Sequence, residues 1–160
     1  MKKATIVFLV LVLAMVLMAA GAAEADGTLD GSTEYDFMGL DGTFEDEGRL
    51  LIWEGTITGE INGTIRWYTY IQDMQYTGQA SHYDLVWEIV DGDNVLMAGE
   101  DSGSTTARLG KNSNWRTNGI VTFANEDYLE WQGHHVHMGG NFTWAAPGLP
   151  DEGAGYFFVG

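Results

Sequence analysis

Residues 50 to 70 read LLIWEGTITGEINGTIRWYTY, and the alternation within them decides the fold. Leu51, Trp53, Ile57, Ile61, Ile65 and Trp67 hold the odd positions with Gly55, Gly59 and Gly63, while most even positions from Glu54 to Arg66 are polar. A period of two puts the apolar set on one face of a pleated ribbon, so this is β structure with one buried side. At ~3.3 Å per residue, an unbroken strand of this length outruns a small domain, so the chain turns or bends within it. A three-residue connection through Thr58, Gly59 and Glu60 would set Ile57 opposite Ile61 and keep the odd positions inward. The sequence therefore predicts an odd-length turn here, or a glycine corner in one coiled strand.

Upstream, the chain opens with Lys2, Lys3, an apolar run and Ala23-Glu24-Ala25. That order reads as a signal peptide over residues 1–25, cleaved after Ala25, and an exported protein in the secreted, periplasmic or cell-surface compartment. An uncleaved anchor is the alternative, since Ala4 to Ala20 approaches a bilayer-spanning length. Residues 26–48 are acidic and rich in Asp-Gly pairs, which predicts a flexible leader before a domain over 49–160. There is no cysteine, so packing rather than disulfides holds an exported fold. The formal net charge of −16 at pH 7 repels phosphate backbones and anionic lipid surfaces, which argues against nucleic acid and, once the signal is removed, against membrane as a partner.

Downstream, Ser81 to Val90 alternates with Tyr83, Leu85, Trp87 and Ile89 on one face, and Asp91-Gly92-Asp93-Asn94 reads as a hairpin tip. Val95 to Gly99 and Gly103 to Leu109 read as short strands separated by polar sequence, and Ile71 to Gln79 as a loop. Trp115 to Ala124 is the next strand, and Tyr128 to His137 returns with Leu129, Trp131, His135 and His137 on one side. Gly139-Gly140 reads as a turn, Asn141 to Trp144 as a strand, Pro147 to Gly153 as a loop and Gly155 to Val159 as the last strand. Eight or nine strands with regular turns and no helical period predict an all-β, antiparallel, mostly up-and-down eight-stranded barrel. Inward glycines at Gly55, Gly59, Gly63, Gly119 and Gly133 favour closure, which also removes exposed edges; a β-sandwich is the alternative.

The run from Gly55 to Ile65, the NGIVTFA of 118 to 124, Tyr128 with Trp131-Gln132-Gly133, and the glycine-rich close at Gly155 to Gly160 give this chain a further likeness. In these it resembles exported bacterial or archaeal relatives of allene oxide cyclase and the plant dirigent proteins, calycin-like barrels. The resemblance implies the barrel fold and, as an activity, a cyclase or isomerase that holds a reactive substrate in one shape. It carries no catalytic residue across.

Two constellations carry possible chemistry. Trp53, Trp67, Tyr83, Trp87 and Trp131 share the inward parity, and such aromatic walls form either a packed core or a pocket for a flat apolar molecule. His135 and His137, two apart on a strand, would point inward with Trp131 near the barrel mouth. Together they could bind a divalent metal if a third ligand converged, with His82, Glu100 and Asp101 as candidates. No nucleophile motif or phosphate loop is present. The reading is a small-molecule binding barrel without covalent catalysis or a required cofactor. Its rivals are a cyclase using Tyr83, His135 or His137 as acid–base groups, and a structural subunit that assembles by lending its leader strand to another copy.

Overall fold

A computed structural model describes residues 27–44, 48–71, 77–108, 110–146 and 149–160. Eight strands run β1 (Leu29–Phe44), β2 (Gly48–Gly59), β3 (Gly63–Ile71), β4 (Thr77–Asp91), β5 (Asn94–Arg108), β6 (Ser113–Ala124), β7 (His135–Ala146) and β8 (Leu149–Val159). Each pairs antiparallel with the next, and β1 closes on β8 from Leu29↔Val159 to Asp36↔Glu152. The chain is a closed, up-and-down, eight-stranded antiparallel barrel; the sandwich alternative is set aside. The predicted signal over 1–25 and most of the Ile71–Gln79 loop lie outside the described residues.

The organising stretch forms β2, its turn and β3. Ile57 pairs with Gly63, so the connection from Thr58 to Asn62 is two residues longer than the predicted turn, and the predicted pairing of Ile57 with Ile61 is replaced. Its length is still odd, so the inward parity carries through. The Asn62 side chain reaches back across the loop to Gly59, donating to its carbonyl at 2.9 Å and accepting from its N–H at 3.3 Å. Ile61, freed from pairing, folds wholly under the end of the barrel.

The expected flexible leader is corrected. From Leu29 to Phe44 it is β1, paired with β8 from Leu29 to Asp36 and with β2 from Gly31 to Phe44. Its alternation explains why: Leu29, Thr33 and Tyr35 are buried while Asp30, Ser32, Glu34 and Asp36 face out. Asp30, Glu34 and Asp36 occupy the solvated face, so composition alone does not mark disorder here.

Strands read as short are long. The segments 95–99 and 103–108 join into β5, because Asp101, Gly103 and Thr105 turn inward while Ser102 and Ser104 face out; Leu109 lies outside the described residues. Gly139-Gly140 is not a turn but the middle of β7, paired with Tyr156 and Gly155. The Asp91–Asn94 hairpin forms as read, with Gly92 at φ 58 in the left-handed region that such a tight turn requires.

One parity expectation fails. Tyr128 to His137 is not a continuous strand: Leu129–Trp131 is a 3₁₀ turn, Gly133 takes φ 88, and β7 begins only at His135. The irregular turn shifts the phase by one residue, so Val136, Met138 and Phe142 are the inward side chains of β7. His135 and His137 lie exposed on the outer face, not in the barrel.

Candidate functional site

Inside the barrel the aromatic side chains divide between two levels. Toward the end where β2–β3, β4–β5 and β6–β7 connect, Trp87 is fully buried and meets the Phe157 ring edge to face, centroids 5.2 Å apart at 79°. Trp131 is buried in the β6–β7 connection at that same end, its ring against His134 at 5.6 Å. Neither reaches open space; both belong to the packed core.

Toward the other end lies an apolar cavity. It holds about 50 Å³ of space for the centres of water-sized spheres, enough for roughly three to five waters and about a third of a cavity that accommodates benzene. Leu51, Trp53, Trp67, Leu85, Trp115 and Phe142 supply most of its wall, with Tyr35, Tyr83, Thr69 and Thr105 as its hydroxyl-bearing members. The tyrosine at position 35 organises this wall. Its ring lies edge-on to Trp67 at 5.0 Å, Trp53 at 5.8 Å and Trp115 at 5.9 Å, the tilted contacts that aromatic quadrupoles favour.

Glycines make room for these rings. A Cβ built on Gly153 would meet the Tyr35 ring, and one on Gly103 would come within 2.9 Å of the Tyr83 ring and hydroxyl. Aromatic rings lying over glycines of the neighbouring strand fill the barrel without spreading the sheet.

Three of the four cavity hydroxyls are already committed. Tyr35 donates to the Asn141 carbonyl at 2.8 Å and accepts from the Trp115 indole N–H. Tyr83 donates to the Arg116 carbonyl at 3.2 Å, and Thr105 to the Asn114 carbonyl at 3.0 Å. Burial raises the Tyr35 pKa above the ordinary tyrosine value, against a smaller lowering by the Trp115 hydrogen bond. Burial raises that of Tyr83 as well, and the nearby Asp101 carboxylate adds to it. Both phenols therefore stay protonated at neutral pH, with their protons held by backbone carbonyls.

Deeper on the barrel wall, Asp101 is buried between β4 and β6. It accepts from the Trp87 indole N–H at 2.8 Å and from the Thr117 hydroxyl. Burial pushes its pKa up to about 6, against the lowering from those two donors and from His137. Gly119 on β6 leaves the room that this carboxylate fills.

Comparison of the chain with models of known protein families, with curated proteins and with solved structures found no match.

Of the residues that the sequence nominates for a pocket, Trp53, Trp67 and Tyr83 line the cavity. Trp87 and Trp131 are core, and His135 and His137 face outward. Among the described residues no group of three His, Asp or Glu side chains could hold a metal ion. Tyr35, Trp115 and Phe142 are the aromatic lining residues that sequence reasoning missed. Trp115 and Tyr35 were legible in principle, since both sit on the inward parity of alternating segments.

Proposed function

We propose that this barrel binds a small apolar group in the cavity between Tyr35 and Tyr83, without covalent chemistry. The observation that carries the reading is the commitment of three of the four cavity hydroxyls, among them both tyrosines. Tyr35, Tyr83 and Thr105 each donate to a backbone carbonyl, so apart from the Thr69 hydroxyl a ligand meets aromatic faces and aliphatic carbon. A polar ligand would lose its hydration and find few partners in return.

The size of the cavity narrows the ligand. With about 50 Å³ available, the barrel takes a short alkyl or isopropyl-sized group unless side chains move, and anything longer extends out of the end bounded by Leu51, Ile71 and Pro150. Binding is favoured over turnover because the titratable groups lining the cavity are Tyr35 and Tyr83, both protonated and engaged, while His135 and His137 lie outside. Export and the resemblance to cyclase and dirigent barrels are compatible with this reading and do not alter it.

Xenon and benzene serve as probes. Dissolved xenon should shift the methyl resonances of Leu51, Ile71 and Leu85 in a ¹³C-methyl NMR titration and leave those of Val136 and Val159 in place. Benzene should do so only weakly. Leu85→Phe, which fills the cavity, should remove the xenon response while keeping the fold. No methyl response to either probe, or one that survives Leu85→Phe, overturns the proposal.

A further inference from the structure

The outer surface of the barrel has a second recess, which shares only Tyr83 with the lining of the cavity. It spans about 580 Å³ over β4, β5 and β6, within the range of small-molecule sites. Its shape follows from register. Asp84, Ser102 and Asn118 are paired neighbours across three strands, and two residues along the strands His82, Ser104 and Arg116 form a parallel row. At strand spacings of ~4.8 Å each row spans ~10 Å, and the rows lie ~7 Å apart. Short serines run down the middle, with Gly103 between them, and longer polar side chains stand at the four corners. The result is a trough.

We propose that this trough binds a neutral saccharide. Its corners offer a carboxylate, an imidazole, a guanidinium and an amide around two hydroxyls, a mixture of donors and acceptors rather than one kind. The Asp84 and Arg116 charges are opposite, and no salt bridge joins them among the described residues. The complement to such a set is an uncharged molecule whose many groups each donate and accept, which is the hydrogen-bonding character of a sugar ring. The chain's net charge of −16 weighs against a polyanion. Tyr70 extends the Asp84 row by one strand and gives an aromatic edge against which the C–H face of a sugar can pack.

The amide at Asn118 is oriented for this. His137 Nδ1 lies 2.6 Å from Asn118 Oδ1, so the imidazole donates to the amide oxygen and leaves the amide NH₂ to donate to a ligand. The His137 ring is in turn set against Phe158 at 6.1 Å.

The test is a ¹⁵N–¹H NMR titration of the intact protein with cellohexaose, xylohexaose, maltohexaose and laminarihexaose, each to about 10 mM, because an exposed polar site binds weakly. At least one should shift the backbone amides of Ser102 to Ser104 and Arg116 to Asn118. Asp84→Ala with Asn118→Ala should weaken that binding about tenfold or more. Ser104→Trp should fill the trough and abolish it, and both variants should melt with the parent because every altered side chain is at the surface. Polygalacturonate is the anionic control. Failure of all four neutral sugars to shift these amides, shifts that persist in Ser104→Trp, or binding of polygalacturonate alone each overturns the proposal. Xenon binding in the barrel is unaffected by any of these outcomes.

Discussion

The indole N–H of Trp87 on β4 donates to Oδ1 of Asp101 on β5 at 2.8 Å, and both side chains are inside the barrel. Thr117 on β6 donates to the second carboxylate oxygen, so one acid ties three strands through neutral donors. No cation is among these partners, and burial therefore dominates: the pKa rises from 3.8 to about 6. Below the unfolded value the acid is protonated in both states and its contribution to stability is fully present. As pH rises from about 4 to about 6 the unfolded chain ionises first, and up to about 3 kcal/mol is lost.

Asp101→Asn should remove that pH dependence. The amide oxygen still accepts from Trp87, and the NH₂ donates to Thr117 Oγ1, so the pairing survives without a charge. Urea midpoints at pH 5 and pH 7 check this. The parent should be less stable at pH 7 relative to the variant, by up to about 3 kcal/mol, and the two should converge toward pH 4. Equal pH profiles for the two proteins would remove Asp101 as the titrating group.

Thr33 presents the opposite case, a buried polar atom without a partner. The side chain is 2 % exposed on the inward face of β1, and its hydroxyl makes no hydrogen bond. Thr33→Val keeps the shape, replaces the hydroxyl with a methyl and favours the strand, so it should stabilise the fold by about 1 kcal/mol. The expected result is a higher urea midpoint with an unchanged slope.

Much of the barrel was legible because one rule, alternation, governs most of its length. Trp53, Trp67, Tyr83 and Trp87 all face inward as their odd positions require, and paired registers align Trp53 with Trp67 and Trp67 with Trp87. The rule was obscured where other signals were louder. The Asp and Glu of 30 to 36 occupy the outer positions of β1, yet their density read as disorder. Glu100 to Ser102 read as a break between two short strands because the apolar mass that covers this part of β5 comes from Trp87 and Tyr83 on β4, lying over Gly99 and Gly103. The histidines were misplaced for a different reason. A 3₁₀ turn and a left-handed Gly133 change the phase before β7, and pattern matching through an irregular turn has no means to count that residue.

Gly99 shows how sharply the glycines are specified. A Cβ there would collide with the Trp87 ring and come within 2.5 Å of the Ile120 carbonyl. Gly99→Ala should therefore cost about 1–3 kcal/mol through overpacking and displace the Trp87 indole from Asp101. Gly110→Ala offers a contrast, since a Cβ at Gly110 has nothing within 4 Å and its φ of 70 leaves backbone strain as the only cost. Denaturant unfolding of the two variants, with tryptophan fluorescence as a second readout, should show a shifted emission maximum for Gly99→Ala alone.

Tyr35 joins the fold to the cavity, and removing its hydroxyl tests both. In Tyr35→Phe the ring contacts to Trp53, Trp67 and Trp115 remain, but the Trp115 N–H and the Asn141 carbonyl lose their shared partner. Unsatisfied groups of this kind cost about 1–3 kcal/mol, so the variant should fold and melt earlier. The vacated space adjoins the cavity, which makes it slightly larger and no more apolar, because a bare indole N–H now borders it. Xenon should still bind, whereas a small hydrogen-bond acceptor such as acetone should now compete with it. Tyr35→Phe as stable as the parent would mean that the tyrosine hydroxyl contributes nothing to closing the barrel wall.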